Sequence, residues 1–219
     1  MPEQHHLTLE VVERVDPADL VDERSRDTRA AFLKKAVGAG GVIAVSGVVI
    51  GGLPALVTAA PGAAQDAEIL NFALLLEYLE AEFYTQAESG GALDGEALEF
   101  AKTVGAHERA HVEFLMKALG DKANPKPTFD FKGTTEDQEM FIQTAIVLED
   151  TGVAAYNGQG ARLTKEVLAS AASVVSVEAR HAAWIRDIAG EPPAPKAFDD
   201  LKSKEEIETA VGDTGFITS

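Results

Sequence analysis

The chain of 219 residues contains no cysteine, which excludes disulfides, thiolate metal ligands and thiol nucleophiles. A metal ion bound here must therefore be held by oxygen and imidazole ligands, which suit iron, manganese or zinc. Basic residues are also scarce, since 19 Lys and Arg stand against 36 Asp and Glu, a formal net charge of -17. This charge argues against nucleic acid and anionic membrane surfaces as partners and favours cationic solutes, metal ions among them.

The first sixty-four residues differ in character from the rest. Residues 36–60 are 25 uncharged residues that follow two lysines and lead into the small-residue stretch PGAAQ. This layout is typical of an export signal, with cleavage after Ala64. The stretch TRAAFLK at 28–34 resembles a twin-arginine signal, although Ala30 stands where the second arginine belongs. We predict an exported protein, located in the periplasm, the cell envelope or the extracellular space.

A membrane anchor is the alternative interpretation of this N-terminal segment. A stretch of 25 uncharged residues is long enough to cross a bilayer core of about 30 Å. Under that interpretation the protein contacts the membrane through 36–60. In either case the segment 1–64 lies outside the folded domain.

Beyond Ala64 the apolar residues recur every three and four positions, which predicts helices rather than strands. Four helices are expected, and their approximate bounds are 66–88, 94–120, 135–157 and 164–190. The stretch TEDQ, which begins at Thr135, resembles a capping box at the start of the third helix. The first and second helices, and the third and fourth, are joined by short connections and should be antiparallel pairs.

The connection between the second and third helices is much longer than the others. Fifteen extended residues at 121–135 can reach about 50 Å, more than the length of a 25-residue helix, which is about 37 Å. The sequence therefore predicts an all-α four-helix bundle over 65–190, with a long crossover between helices two and three. In the C-terminal tail, 191–219, the stretch FDDLKSKEEIETAV is expected either to form a short helix or to stay loose.

The two halves of the bundle repeat each other with a period of about 70 residues. The second helix contains ERAHVEFLMKALG from Glu108, and the fourth contains EARHAAWIRDIAG from Glu178. The first helix contains LEYLEAEFY and the third LEDTGVAAY, so that Glu77 and Glu149 each precede a tyrosine by seven residues. This repetition argues against a chance arrangement of surface residues.

The repeated acids and histidines have the spacing of metal ligands. Residues three apart lie on one helix face, so each Glu-x-x-His presents a carboxylate and an imidazole in the same direction. Glu77 and Glu149 lie on apolar helix faces, where a buried carboxylate is unfavourable without a compensating cation or hydrogen-bond network. Two divalent cations would compensate all of them. The candidate ligands are Glu77, Glu108, His111, Glu149, Glu178 and His181.

One Glu from each of two helices, with a Glu-x-x-His from each of the other two, is the ligand pattern of the ferritin-like carboxylate dimetal proteins. Residues 65–190 resemble that superfamily, and in particular its exported bacterial branch, described as ferritin-like or desiccation-related. The resemblance implies a ferritin-like four-helix bundle in which Glu108 and Glu178 bridge two metals. The remaining ligands would bind one metal each, and they are Glu77, Glu149, His111 and His181.

The same resemblance implies a function. A non-haem di-iron protein would be an oxidoreductase that acts on Fe(II), O2 or H2O2 and protects the cell envelope in oxidative or desiccation stress. Two manganese ions in place of two irons would favour a catalase-like dismutation of peroxide. A non-catalytic stress or envelope protein that uses metal only for stability is a third hypothesis. A homodimer is expected without a sequence motif to support it.

Two tyrosines are candidate partners of the ligand carboxylates. Tyr84 and Tyr156 lie two helical turns beyond Glu77 and Glu149, from where each could hydrogen-bond a carboxylate across the core. Packing in the apolar core, with the hydroxyl groups satisfied elsewhere, is the alternative.

Further expectations concern four other residues near the motifs. Glu80, one turn beyond Glu77, is a candidate extra ligand, but the matching position in the third helix is Gly152. His107 precedes Glu108 and is expected to face solvent or to contact a ligand from outside. Phe114 and Trp184, three residues beyond the histidines of the two motifs, are expected to fill the core.

Overall fold

The computed structural model describes residues 62–219, so the export signal or anchor predicted for 1–64 lies almost entirely outside the described residues. This part of the chain forms five α-helices, joined without strands, and the prediction of an all-α fold is confirmed. The helices are α1 Ala63–Gly90, α2 Gly95–Leu119, α3 Gln138–Gly160, α4 Lys165–Ile188 and α5 Lys204–Thr214. Among residues 62–219, no helix is long and apolar enough to span a membrane.

Local sequence explains where these helices begin and end. Helix α1 stops at Gly91, which adopts the left-handed conformation at φ 74°, a backbone geometry that glycine tolerates at no steric cost. Helix α3 begins after Asp137, whose side chain accepts a hydrogen bond from Met140 N at 2.9 Å. The capping box predicted at Thr135 is therefore wrong. Turns closed by Thr134 N and Glu136 N extend the crossover past Thr135 and delay the start of the helix.

Contacts between the first and third helices fix the topology of the bundle. Tyr84 of α1 hydrogen-bonds Glu149 of α3, and Tyr156 of α3 hydrogen-bonds Glu77 of α1. Since the later residue of each helix meets the earlier residue of the other, α1 and α3 are antiparallel. Helix α1 also packs against α2, and α3 against α4.

The crossover connects opposite ends of the bundle, as an antiparallel α1 and α3 require. Its first residues contact the beginning of α1, where Asn71 Nδ2 donates to Lys122 O at 2.9 Å. Its last residues lie near the end of α1, where Asp94 N donates to Gln138 Oε1 at 2.8 Å. From Asn71 to Gly90 the helix rises roughly 28 Å, and the crossover spans that distance.

The C-terminal tail folds back onto the bundle, and of its two expected states the short helix is the one that forms. Ser203 and Glu206 form a reciprocal capping box at the start of α5, and Ile207 of that helix is fully buried. Beyond α5, Phe129 of the crossover pairs with Ile217 in an isolated antiparallel bridge. The tail thereby covers part of the crossover.

Aromatic side chains fill the core beside the clustered acids. Phe83 stacks on Phe141 with ring centroids 5.3 Å apart, and Trp184, partly buried, meets Phe100 edge-on at 5.2 Å. The prediction that Phe114 fills the core is wrong, because its side chain is 40% exposed. The neighbouring Leu115 belongs to the buried stripe of α2, and adjacent helical residues point about 100° apart.

Replacement of Gly158 by alanine should destabilise the protein by about 1–3 kcal/mol. A Cβ atom at this position of α3 would lie 1.8 Å from the carbonyl oxygen of Lys202, so the tail must move. The free energy of unfolding can be measured by urea denaturation. Gly160→Ala is the control, since its Cβ would meet only Leu168 Cδ1, at 3.7 Å. Equal stability of the two variants would contradict this packing.

Candidate metal centre

Four helices place six titratable side chains at one level of the bundle core. Each of α1 and α3 contributes one glutamate, and each of α2 and α4 contributes a glutamate and a histidine one turn apart. The four carboxylates are at most 1% exposed, whereas His181 is 3% exposed and the His111 side chain 13%. The structure thus brings together the whole predicted set, which is Glu77, Glu108, His111, Glu149, Glu178 and His181.

Two of the carboxylates are shared between the two histidines. Glu108 Oε2 lies 3.1 Å from His111 Nδ1, while its other oxygen, Oε1, lies 3.1 Å from His181 Nδ1. Glu178 does the same, with Oε1 3.0 Å from His111 Nδ1 and Oε2 3.8 Å from His181 Nδ1. Each of these carboxylates therefore presents one oxygen to each histidine, which is the geometry that a bridging ligand requires.

The other two carboxylates each approach a single histidine. Glu77 Oε2 lies 3.3 Å from His111 Nδ1, and Glu149 Oε2 lies 3.3 Å from His181 Nδ1. The six side chains consequently form two overlapping sets of four, and in each set the ligand atoms lie within 4.8 Å of one another. The first set, called here the His111 position, consists of Glu77, Glu108, His111 and Glu178. The second, the His181 position, consists of Glu108, Glu149, Glu178 and His181.

The donor set fits a pair of metal ions. Two ligands at a right angle on a metal about 2.1 Å away are about 3 Å apart, close to most of the separations found here. Buried polar atoms normally have a hydrogen-bond partner. Several of the inward-pointing atoms have none, which is the arrangement expected of atoms that ligate an ion. These atoms are Glu77 Oε2, Glu108 Oε1, Glu149 Oε2, both oxygens of Glu178, and His181 Nδ1.

Without bound metal, protons on the two histidines supply positive charge within the cluster. Burial by itself would lower the pKa of His111 and His181, but the surrounding carboxylates raise both to about 12. Burial raises the pKa of Glu149 to about 8 and that of Glu77 well above its usual value. Burial also acts to raise the pKa of Glu108, but contacts with the two histidines lower it to about 2. Positive charge on the imidazoles thus offsets part of the buried negative charge.

Two tyrosines hold the carboxylates that are not shared. Tyr84 Oη donates to Glu149 Oε1, and Tyr156 Oη donates to Glu77 Oε1. Burial, followed by the nearby carboxylates, raises the pKa of both tyrosines well above the usual value, so both hydroxyls keep their protons. Each bond fixes one oxygen of its carboxylate and leaves the other, Oε2, directed at a histidine.

The contact of His107 with His181 was only loosely anticipated by the sequence. His107 Nδ1 lies 2.9 Å from His181 Nε2, and the two rings stack with centroids 5.1 Å apart. Burial and then the charge of His181 lower the pKa of His107, so it accepts the hydrogen bond from His181 Nε2–H. The spacing of four residues between His107 and His111 was the available signal, since it puts both on one face of α2.

A surface depression of about 400 Å³ leads to the histidine side of the cluster. Both candidate ligand histidines contribute to its wall, together with His107 and the apolar side chains of Val177 and Trp184. Small solutes can therefore approach the cluster between α2 and α4.

The profile of one protein family, described as the ferritin-like domain, matches residues 65–191. The match covers more than half of the chain and all six clustered side chains. This chain belongs to the ferritin-like domain family. The resemblance inferred from the ligand pattern is confirmed at the level of this superfamily. A comparison with curated proteins finds no match.

Loss of one tyrosine hydroxyl should weaken metal binding by the ferritin-like domain. In Tyr84→Phe, Glu149 loses the hydrogen bond that orients it, and we expect metal affinity to fall about tenfold. Affinity can be measured by calorimetric titration with Mn(II). Tyr78→Phe is the matched control, because the Tyr78 hydroxyl donates to Asn124 O, at 3.5 Å, instead of to a clustered carboxylate. Identical affinities for the two variants would contradict the orienting role.

Metal binding should release protons. At pH 7 both histidines are protonated in the metal-free chain, because their pKa values are about 12, and each must lose a proton to ligate. Glu149, whose pKa is about 8, is also largely protonated at pH 7 and must ionise to ligate, so we expect at least about three protons to be released per chain and affinity to increase as the pH rises. Calorimetry in buffers of different ionisation enthalpy measures the release. A binding enthalpy independent of the buffer would contradict this account.

Proposed function

We propose that the ferritin-like domain is a non-haem di-iron oxidoreductase that acts on Fe(II), O2 or H2O2. The observation that carries the proposal is the division of Glu108 and Glu178 between His111 and His181, one oxygen to each. A site for a single metal would not require two carboxylates that each divide their oxygens between two histidines. The mixture of carboxylate and imidazole ligands suits iron, with manganese as the second choice.

Charge supports a pair of divalent ions. Two divalent cations carry four positive charges, which the four carboxylates neutralise when they are ionised. Bound iron would supply the redox chemistry, since two Fe(II) provide two electrons that, with two protons, reduce O2 to H2O2 or H2O2 to two water molecules.

The protein's own residues would then set the geometry and exclude water. The tyrosines at Glu77 and Glu149 restrain the unshared carboxylates, and His107 holds the ring of His181 with Nδ1 turned inward. Such outer contacts fix ligand orientation and basicity. The phenyl rings of Phe83, Phe100 and Phe141, all fully buried, pack around Tyr84 on one side of the cluster.

The size of the approach limits the substrates. The depression beside His111 and His181 reaches a cluster whose carboxylates are at most 1% exposed, so only small molecules or ions can arrive. This fits Fe(II), O2 and peroxide. An acidic chain with a net charge of -17 also attracts cations such as Fe(II).

We also propose that the protein acts outside the cytoplasm. The uncharged stretch 36–60 and the twin-arginine-like TRAAFLK support export, or anchoring on the outer side of a membrane. Placement in the exported, desiccation-related branch of the family and a protective role against oxidants rest on the resemblance of 65–190 to that branch.

Replacement of a shared carboxylate should abolish the dimetal centre. In Glu108→Gln and in Glu178→Gln, each of the two positions loses one carboxylate oxygen, so we expect at most one metal ion per chain where the wild type binds two. Metal content can be measured by mass spectrometry after anaerobic loading with Fe(II). Fe(II)-dependent O2 uptake should fall at least about 100-fold.

Glu113→Gln is the matched control, since Glu113 lies on α2 two residues beyond His111 but is exposed. Two metals bound by either shared-carboxylate variant would refute the site. Peroxide dismutation by manganese-loaded wild-type protein, without O2 uptake by the iron form, would favour the catalase-like alternative. A loaded wild type that only gains thermal stability would favour the non-catalytic one.

A further inference from the structure

Glu80 is a fifth buried carboxylate that the two four-residue sets leave unexplained. Its side chain is 3% exposed and lies one turn beyond Glu77 on α1. Within residues 62–219, no ion pair or hydrogen bond compensates its carboxylate. Burial raises the pKa of Glu80 well above its usual value, and the next largest causes are repulsions from the clustered acids, with Glu149 first. A buried acid without compensation is unfavourable, and a bound cation would compensate it.

The Glu80 carboxylate lies against Gly152 of α3, beside the carboxylate of Glu178. A Cβ atom on Gly152 would lie 3.4 Å from Glu80 Oε1 and 3.4 Å from Glu178 Oε2. The Glu80 carboxylate therefore reaches from α1 into the space above Gly152 of α3. Glu178 Oε2, which borders that space, is the oxygen that faces His181.

The two halves of the internal repeat differ at this position. Glu77 and Glu149 occupy matching positions, and one turn later the first half has Glu80 where the second half has Gly152. The first half thus adds a carboxylate that the second half lacks, and this carboxylate lies beside the matching glycine. The His111 position has no equivalent addition, since the second half offers no carboxylate one turn beyond Glu149.

We propose that Glu80 is a fifth carboxylate ligand of the centre and that it binds the metal at the His181 position. That position then has one more protein ligand and one more negative charge than the His111 position, so the two metals bind with different affinities, and the His181 position fills first. The inference rests on the proposed dimetal function.

The test is calorimetric titration of metal-free protein with Mn(II), which does not depend on turnover. Wild type should bind two ions in two resolved steps. Glu80→Gln keeps the shape of the side chain and should weaken the tighter step about 10- to 100-fold while changing the weaker step less than about threefold. Its metal-free form should melt at or above the wild-type temperature, since a desolvated acid is replaced by a neutral amide.

Two further variants make the result specific. Gly152→Val keeps Glu80 but crowds its carboxylate, so it should weaken the tighter step, with a smaller effect on the weaker step through Glu178 Oε2, which the new side chain also meets. Glu82→Gln is the control, because Glu82 lies on the same helix but pairs with Lys126 at the surface, and it should leave both steps unchanged.

The outcomes separate the two proposals. Fewer than two Mn(II) ions bound by the wild type would overturn the dimetal centre itself, and the Glu80 assignment with it. Two ions bound by the wild type, with both steps unaltered in Glu80→Gln, would overturn the Glu80 assignment alone. Equal weakening of both steps in Glu80→Gln would overturn its assignment to the His181 position.

Discussion

The structure depends on the burial of acids and imidazoles in the middle of a helical bundle. Glu77, Glu108, Glu149 and Glu178 are removed from water and lie closer to one another than their mutual repulsion favours. Protons on the two histidines offset part of this charge in the metal-free chain, and a pair of divalent cations would offset all of it. The tyrosine bonds, the covering aromatic rings and the long crossover all follow from the need to hold this charged layer inside an apolar core.

The two halves of the site are nearly equivalent, but they differ at two residues. The repeated halves place Glu77 opposite Glu149 and Glu108 opposite Glu178, which explains why the two sets of four share two members. The two halves differ at Glu80 and at His107, and both residues lie on the His181 side. Glu80 lies above Gly152. His107 contacts the His181 ring. A repeat whose two sites were equivalent would need neither residue.

Much of this could be predicted from the sequence because the relevant signals are local. Helical periodicity and the Glu-x-x-His spacing depend on residues within two turns, so the bundle, the crossover and the six clustered side chains were all accessible. The contact of His107 with His181 is signalled only by the four-residue spacing of His107 and His111, and the exposure of Phe114 by no pattern, because each depends on how α2 is rotated about its axis. The start of α3 was misplaced at Thr135, since crossover turns, rather than helix propensity, decide where that helix begins. The docking of α5 depends on packing that no local pattern encodes.

Anomalous X-ray diffraction from crystals of metal-loaded protein would show whether Glu108 and Glu178 bridge two metal ions. Data collected on both sides of the iron and manganese absorption edges locate and identify each ion. We predict two anomalous peaks in the bundle core, one beside His111 Nδ1 and one beside His181 Nδ1, with an oxygen of each shared glutamate at each peak. A single peak, or peaks only among the surface acids, would contradict the account.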